Sequence, residues 1–370
     1  MPSNTASSPR GWLPDLPLWT ILTPLFAGIV MAAAAFDLSL GGVFVTVIAV
    51  SLAASVFAAV HHAEVVAHRI GEPYGTLVLA LAVTLIEVAL IVSLMIAGGT
   101  EAAALARDTV FAAVMIILNG IIGLCLVVGG LKHSQQTFNL DAVSAALVAL
   151  AAIVILTLVF PNYTVTTPGP YYSPSQLMLI AVVSLAIYGA FVFAQTIGHR
   201  RIFVHDLAEE QQQHASQPSN AVTAASAILL LACLAAVVLL AKKLAPSLET
   251  AVSRVGAPNA VVGVIIAAIV LLPEGLAALR AARANRLQTS LNLALGSALA
   301  SIGLTIPAVG VLSLYMHTRL VLGIDTKATV LLILSLFITA IALRTGRTIV
   351  LHGIVLLVIF VVYLFTTVIP

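Results

Sequence analysis

Residues 256–307 read GAPNAVVGVIIAAIVLLPEGLAALRAARANRLQTSLNLALGSALASIGLTIP. The stretch holds two apolar runs, each long enough to cross a bilayer, and a turn with three arginines separates them. The first run carries Glu274 between Pro273 and Gly275, at a depth where an ionised carboxylate is costly. This stretch therefore predicts two membrane helices with an acidic group inside the membrane, a group that requires a functional explanation.

The composition is that of a membrane protein with many spans. Of the 370 residues, 61% are hydrophobic and only 8% are charged, whereas soluble proteins carry about 25% charged residues. The net charge of +2 gives no reason to expect a nucleic-acid partner. Cys125 and Cys233 both fall in apolar segments, which favours two core residues over a disulfide framework. The expected partners are the lipid bilayer and transported ions, and no cofactor is expected; the oligomeric state is not readable from the sequence.

The apolar stretches predict an all-α integral membrane protein with about eleven transmembrane helices. We expect these helices near residues 17–36, 40–66, 75–97, 109–130, 141–160, 176–196, 221–241, 257–279, 289–312, 326–343 and 349–367. The predicted organisation is a cytoplasmic tail, a leading helix, a five-helix repeat, a polar cytoplasmic loop and a second five-helix repeat, over residues 1–16, 17–36, 40–196, 197–220 and 221–370.

The basic residues of the connections predict the orientation. With the N-terminus in the cytoplasm, ten of the sixteen lysines and arginines fall on the inner side. The sequence therefore predicts a cytoplasmic N-terminus and an outer C-terminus. The loop over 197–220 is rich in acidic and histidine residues, and it is either a solvated connection or a regulatory sensor of cations or protons.

An internal repeat links the two halves of the chain. Four residue types recur at one offset of 185 positions: Glu64, Arg69, Gly71 and Pro73 match Glu249, Arg254, Gly256 and Pro258. In each copy, the matched segment leads into an apolar run that reaches a glutamate, Glu87 in the first copy and Glu274 in the second. Because a unit of five spans is odd, the two copies are expected to be inverted, as in many secondary transporters whose ion site lies where the halves meet.

Glu87 and Glu274 are the main site candidates. Two carboxylates inside the membrane would neutralise one divalent cation, and protons would compete with the metal for the same oxygens. We therefore predict that both bind the cation and protons, with a structural carboxylate paired to a neighbouring helix as the alternative. Pro273 and Gly275 predict a helix break that frees carbonyl oxygens for an ion, and Gly296 a similar break; a simple kink is the alternative.

Small polar residues near these glutamates are further candidates for cation or proton binding. Ser297 and Ser301 are four residues apart and so share one helix face. Asn119 is their counterpart in the first half, and Thr84 lies about one turn before Glu87. Polar residues of this size also hold helices together, so packing is the alternative for each of them.

A third group of candidates lies near the inner end of the second predicted helix. His61, Glu64 and His68 form one stripe, and Glu249 repeats Glu64 in the second half. Because histidine titrates near neutral pH, these residues are predicted to relay protons or to gate the site. A solvated helix end is the alternative for His68.

Two segments resemble a known family. Residues 71–88, GEPYGTLVLALAVTLIEV, and residues 273–307 resemble the calcium/proton exchanger branch of the calcium/cation antiporter superfamily, with the bacterial ChaA-type cation/proton antiporters most similar. The resemblance implies proton-driven export of Ca²⁺ by alternating access across a bacterial inner membrane. It also implies that the motif glutamates are Glu87 and Glu274.

One departure from the family pattern bears on the transported ion. Members dedicated to calcium carry Gly-Asn shortly before each motif glutamate, whereas this chain carries Val83-Thr84 and Val270-Leu271. Since two amide oxygens are missing, Na⁺ and K⁺ are expected as further substrates beside Ca²⁺. The alternatives are a sodium/calcium exchanger and a cation channel. An enzyme is not expected, because the sequence offers no arrangement of a nucleophile and a base.

Overall fold

A computed structural model provides the structure of this chain. It describes residues 16–35, 42–71, 74–98, 103–198, 200–203, 217–254 and 256–369. The predicted N-terminal tail, apart from residue 16, and most of the polar loop, residues 204–216, lie outside the described residues. The two interpretations of this loop, a solvated connection and a regulatory sensor, therefore both stay predictions.

Within the described residues, eleven long helices form nearly all of the structure. The leading helix is α1, Leu18–Ala35. The next five are α2 Gly42–Ile70, α3 Tyr74–Gly98, α4 Leu105–His133, α5 Leu140–Tyr163 and α6 Pro174–Gly198. The last five are α7 Asn220–Arg254, α8 Ala260–Arg283, α9 Leu287–Met316, α10 Thr326–Leu343 and α11 Val350–Val368. The helices α2–α11 are all long and apolar enough to span a membrane, which confirms the predicted all-α membrane fold.

Local signals in the sequence explain where several helices begin. Ser173 and Gln176 form a capping box at the start of α6, in which each side chain bonds the other residue's backbone N–H. Asp325 accepts a hydrogen bond from the N–H of Ala328 and so caps α10. These side chains satisfy backbone donors that have no partner within the helix.

The repeated glycines have the same role in both halves. Gly71 follows α2 with φ +76°, and Gly256 follows the end of α7 with φ +71°. Both values lie in the left-handed region, which glycine adopts without strain and which ends a helix. The two segments that match in sequence therefore also match in backbone geometry.

The contacts between helix ends show that the two sets of five run in opposite directions. At the end of α2, Arg69 Nη2 donates to Asn220 Oδ1 at the start of α7, over 2.6 Å. The face where α2 ends is thus the face where α7 starts; we call it the basic face. On it, the short strand β1 (Gln136–Thr137), after α4, pairs antiparallel with β2 (Arg347–Thr348), before α11. Because α2 and α7 start at opposite faces, the two sets are inverted relative to each other.

The buried apolar side chains form two main clusters. One is centred on α4 and α9, and the other lies between α2, α3 and α7. Large apolar side chains such as Leu351, Val358 and Phe365 cover the outside of α11, where they face lipid. Because lipid is as apolar as the interior, close packing and internal hydrogen bonds, rather than removal from water, hold such helices together.

The predicted helix breaks at Pro273, Gly275 and Gly296 are wrong. The helix α8 continues through Pro273 and Gly275 to Arg283, and α9 continues through Gly296 to Met316. Proline removes one backbone donor, and neighbouring helices compensate for this loss inside a membrane protein. Wider π-helical turns lie instead in three other helices, at Ile116–Ile121 in α4, Ile155–Val159 in α5 and Ala194–Gly198 in α6. The turn in α4 is the one that carries Asn119. Such turns are frequent at functional sites.

The helix α7 is much longer than predicted. It has 35 residues and continues past the predicted end at residue 241 to Arg254. A helix of this length measures about 52 Å, well beyond the apolar thickness of about 30 Å. Lys242 and Lys243, both exposed, therefore lie on a helical extension towards the face opposite the basic face.

Candidate cation site

Glu87 is a buried carboxylate with a hydrogen-bond donor. It lies thirteen residues after the start of α3 and eleven before its end, and only 5% of the residue is exposed. The hydroxyl of Ser301, on α9, donates to Glu87 Oε1 over 2.5 Å. The structure thus brings together two of the predicted site residues, one from each half of the chain.

Glu274 is the second carboxylate buried within the helices. It lies fourteen residues after the start of α8 and nine before its end. Both carboxyl oxygens are buried, and neither has a hydrogen-bond partner among the described residues. At 1.5 Å per residue, Glu274 lies about 14 Å from the basic-face end of its helix and Glu87 about 20 Å. Both carboxylates are therefore deep in the membrane.

The two glutamates belong to one electrostatic centre. Glu87 and Glu64 lie close enough to Glu274 for their charges to act on its carboxyl group. We refer to the side chains of Glu87, Glu274 and Ser301 as the acidic centre. Like charges in a dry environment repel each other, so this centre favours cations or protons.

Gly275 contributes close packing rather than a helix break. A Cβ atom at this position would lie 3.2 Å from Cδ1 of Ile121, which belongs to the π-helical turn of α4. A side chain here would require Ile121 to shift by a few tenths of an ångström or more, at the level of Glu274. The glycine therefore lets the irregular turn of α4 approach the helix that carries Glu274.

Asn119 lies in this π-helical turn, fully buried. Its Nδ2 donates to Ser335 Oγ, on α10, over 2.9 Å, whereas its Oδ1 has no hydrogen-bond partner among the described residues. Asn119 stands fourteen residues into α4, and Ser301 stands fourteen residues into α9. The two predicted candidates thus occupy equivalent positions in the two sets of helices.

Thr84 and Ser297 are less directly connected to the acidic centre. The Thr84 hydroxyl donates to the carbonyl oxygen of Ala80 in its own helix, over 2.9 Å. Ser297 is half-buried one turn before Ser301, and Ser301 is the serine of α9 that bonds a glutamate. The structure therefore links Ser301, but neither of these two residues, to a glutamate by a hydrogen bond.

The histidines of α2 lie against the leading helix. The predicted candidate His61 packs beside Trp19 of α1, with ring centroids 5.8 Å apart. His62, which sequence reasoning missed, is fully buried, and its Nε2 lies 3.2 Å from the carbonyl oxygen of Thr20. The only sequence signal for His62 is its place next to His61. His68 lies further along α2 and is half-buried.

Glu64 and its repeat partner Glu249 are both exposed. The charge of Arg280, near the end of α8, acts on Glu64, so Glu64 lies between the acidic centre and the arginines of the basic face. Glu249 lies on the extended part of α7, towards the other face. Their predicted role as a proton relay or gate stays a prediction.

Among the described residues, the two glutamates are not joined by a third acidic or histidine ligand. In the described part of the chain, no group of three or more His, Cys, Asp or Glu side chains is arranged to hold a metal ion. A cation at the acidic centre would therefore complete its coordination with neutral oxygens, the ligands that hard cations accept beside carboxylates. Hydroxyl, amide and backbone oxygens are the available kinds.

A helical membrane protein with inverted halves and a buried acidic centre is typical of a secondary transporter. The model of the family described as "Sodium/calcium exchanger protein" matches residues 38–197 and 225–369. The chain belongs to this family, and so to the calcium/cation antiporter superfamily. The resemblance seen in the two glutamate segments is thereby confirmed.

Curated relatives cover most of the chain. The "Putative ionic transporter y4hA" of Sinorhizobium fredii is 48% identical over 96% of this chain and 97% of its own length. The "Sodium-potassium/proton antiporter ChaA" of Escherichia coli is 39% identical over 86% of both chains.

Solved structures share the fold. The H⁺/Ca²⁺ exchanger CAX is similar with a TM-score of 0.71 and 14% identity, over 94% of this chain and 88% of that one. Native YfkE is similar with a TM-score of 0.70 and 18% identity, over 95% of this chain and 100% of that one. At these identities, the similarity supports the fold alone.

Proposed function

We propose that the chain is a secondary cation/proton antiporter that exports Ca²⁺, and also Na⁺ and K⁺, in exchange for protons. Glu87 and Glu274 are the shared ligands of the cation and the protons. One observation carries this proposal: two buried carboxylates from opposite halves lie within electrostatic range, and both oxygens of Glu274 lack a donor among the described residues.

The exchange follows from competition at the acidic centre. Two ionised carboxylates without a counter-charge are unstable deep in a membrane. A cation or protons neutralise them, and because both occupy the same oxygens, binding of one releases the other. Each change of access between the two faces therefore carries either a cation or protons, which couples the two fluxes.

The proposed range of cations rests on the ligands and on the relatives. Two carboxylates balance the charge of Ca²⁺, whereas the missing Gly-Asn pairs remove two amide oxygens that a dedicated calcium site would use. The relative ChaA is named a sodium-potassium/proton antiporter, and the model of the family to which the chain belongs is described as a sodium/calcium exchanger protein. These names support a site that accepts both monovalent and divalent cations.

We propose alternating access by movement of the two inverted sets around the acidic centre. Nine of the sixteen lysines and arginines lie at the basic face, and a tenth, Arg10, precedes α1, so this face is proposed to be cytoplasmic. The N-terminus is then cytoplasmic and the C-terminus outside, in a bacterial inner membrane.

The test measures proton release from everted membrane vesicles under an imposed pH gradient. Ca²⁺, Na⁺ and K⁺ are added one at a time while a dye reports the internal pH. The wild-type protein is expected to dissipate the gradient with each transported cation. Glu87→Gln and Glu274→Gln are expected to abolish this release while remaining in the membrane at wild-type amounts.

A matched control variant removes a carboxylate outside the acidic centre. Asp141 is an exposed residue in the first turn of α5, and Asp141→Asn is expected to keep wild-type exchange. Normal cation-dependent proton release from either glutamine variant would refute the assignment of the ligands. Calcium flux driven by a sodium gradient alone would indicate a sodium/calcium exchanger, and conductance far above carrier turnover would indicate a channel.

A further inference from the structure

The side chain of Asn119 is bound at one end and free at the other. Its amide nitrogen donates to Ser335 Oγ over 2.9 Å and lies 3.4 Å from the carbonyl oxygen of Met115. Its amide oxygen is buried without a hydrogen-bond partner among the described residues. A buried polar atom with no partner is costly, so it requires an explanation.

The hydrogen-bond network fixes which end of the amide is free. Ser335 has one hydroxyl hydrogen, and the hydroxyl donates to the carbonyl oxygen of Leu331 over 2.7 Å. Its oxygen is thus left to accept, and the amide nitrogen of Asn119 is the donor that reaches it. Turning the amide around would place its oxygen against the carbonyl oxygen of Met115, so that two acceptors face each other, and the Ser335 hydroxyl would have to leave Leu331 to donate to the amide. Ser335 therefore keeps the amide oxygen of Asn119 pointing away from α10.

The position of Asn119 links this oxygen to the acidic centre. Asn119 corresponds to Ser301, which bonds Glu87 in the other half. The π-helical turn that carries Asn119 packs against α8 where Gly275 follows Glu274. Inverted copies present equivalent positions to equivalent partners, so the partner expected for the Asn119 position is Glu274.

We propose that Ser335 is a positioning residue that holds the amide oxygen of Asn119 as a neutral ligand for the transported cation beside Glu274. The inference rests on the proposed function and concerns the affinity of the site for the cation relative to its affinity for protons. A carboxylate binds both, whereas an amide oxygen coordinates a metal cation and does not take up a proton in the physiological range. Asn119, held by Ser335, therefore strengthens cation binding without strengthening proton binding.

The test is a double-mutant cycle on the cation KM of exchange at one fixed pH, with Ca²⁺, Na⁺ and K⁺ titrated separately. Ser335→Ala is expected to raise the KM about tenfold, the size of one lost hydrogen bond, with the maximal rate within about twofold of wild type. Asn119→Ala is expected to raise the KM at least as much. Adding Ser335→Ala to Asn119→Ala is expected to change nothing further, because Ser335 acts through Asn119.

Two further variants separate positioning from packing. Ser335→Thr keeps a hydroxyl and is expected to restore most of the wild-type affinity. Ser184 is a buried serine on α6 whose hydroxyl has no partner among the described residues, so Ser184→Ala is expected to keep the wild-type KM. If Ser335→Ala does not reach the membrane, Ser335→Cys replaces it with the same expectations, because a thiol has similar size and is a weak acceptor.

The outcomes distinguish this inference from the proposed function. A wild-type KM in Ser335→Ala, or effects of the two alanine variants that simply add, would overturn the positioning role. Glu274→Gln is measured in the same vesicles. If it is inactive while Ser335→Ala behaves as wild type, only the inference fails; if it exchanges normally, the proposed function fails as well.

Discussion

The two halves of the acidic centre surround their carboxylates in different ways. Glu87 accepts a hydrogen bond from Ser301 over 2.5 Å. Glu274 has no donor among the described residues, and the equivalent position in the other set holds Asn119, whose free end is an oxygen. The equivalent position of the two inverted helices thus holds a hydroxyl that bonds a carboxylate in one set and an amide oxygen without a partner among the described residues in the other.

The difference has a physical consequence for loading. A hydroxyl donor stabilises an ionised carboxylate even when no cation is present. A buried carboxylate without a donor is stable when it holds a cation or a proton. We therefore expect Glu274 to depend on its bound ion at every stage, whereas Glu87 tolerates an empty site. The two halves of the chain, although similar in sequence, would then have unequal roles in exchange.

The largest expected effect concerns stability without cations. Glu274→Gln removes a buried charge that lacks a donor, and should stabilise the protein by about 3 kcal/mol in cation-free buffer at alkaline pH. Glu87→Gln should change stability much less, because Ser301 still donates to the glutamine oxygen. Thermal unfolding of the purified protein in detergent measures both effects.

Adding the transported cation provides the control for this comparison. The cation should raise the melting temperature of the wild-type protein, since a ligand that binds only the folded state stabilises it. It should leave the melting temperature of Glu274→Gln unchanged. Equal stabilisation by the two glutamine variants in cation-free buffer would contradict the difference between the two halves.

Much of the acidic centre was predictable from sequence. Glu87 and Glu274 stand out because a carboxylate within an apolar run is rare. Their relation to each other follows from the repeat that includes Gly71 and Gly256, and the structure gives both glycines the same left-handed backbone. Ser301 was among the candidates, but so was Ser297, and only the packing of α9 against α3 distinguishes them.

Other features depend on contacts that no local pattern contains. Asn119 and Ser335 are 216 residues apart, so their hydrogen bond arises only from the packing of α4 against α10. The π-helical turn lies in an ordinary apolar sequence, IILNGI. The predicted helix break failed because a helix supported by its neighbours continues through Pro273. Tertiary packing decides each of these points.

The next prediction ranks the two serines of α9. Ser301→Ala removes the hydrogen bond to Glu87 and so leaves both glutamates without a donor from the described residues. Because one hydrogen bond is lost, the rate of exchange should fall about tenfold. Ser297→Ala should change the rate by no more than about twofold, because no hydrogen bond joins Ser297 to either glutamate. Initial rates of proton release from vesicles compare the two variants.

Ser301→Thr serves as the control, because it keeps the hydroxyl. If its exchange is close to wild type, the loss in Ser301→Ala is due to the missing donor. Equal losses in Ser297→Ala and Ser301→Ala would mean that both serines line the cation site, and that the half around Glu87 is richer in ligands than its hydrogen bond indicates.

The smallest expected effect concerns Thr84, which lies one turn before Glu87 and was a candidate ligand. Its hydroxyl donates to Ala80 in the same helix, and a membrane helix tolerates the loss of such a bond well. Thr84→Val, which preserves the shape of the side chain, should therefore change the cation KM by less than about twofold. A large rise in KM would instead show that the hydroxyl turns to the cation during exchange. Both halves would then supply a neutral oxygen to the cation. The remaining difference between them would be the hydrogen bond that Ser301 donates to Glu87.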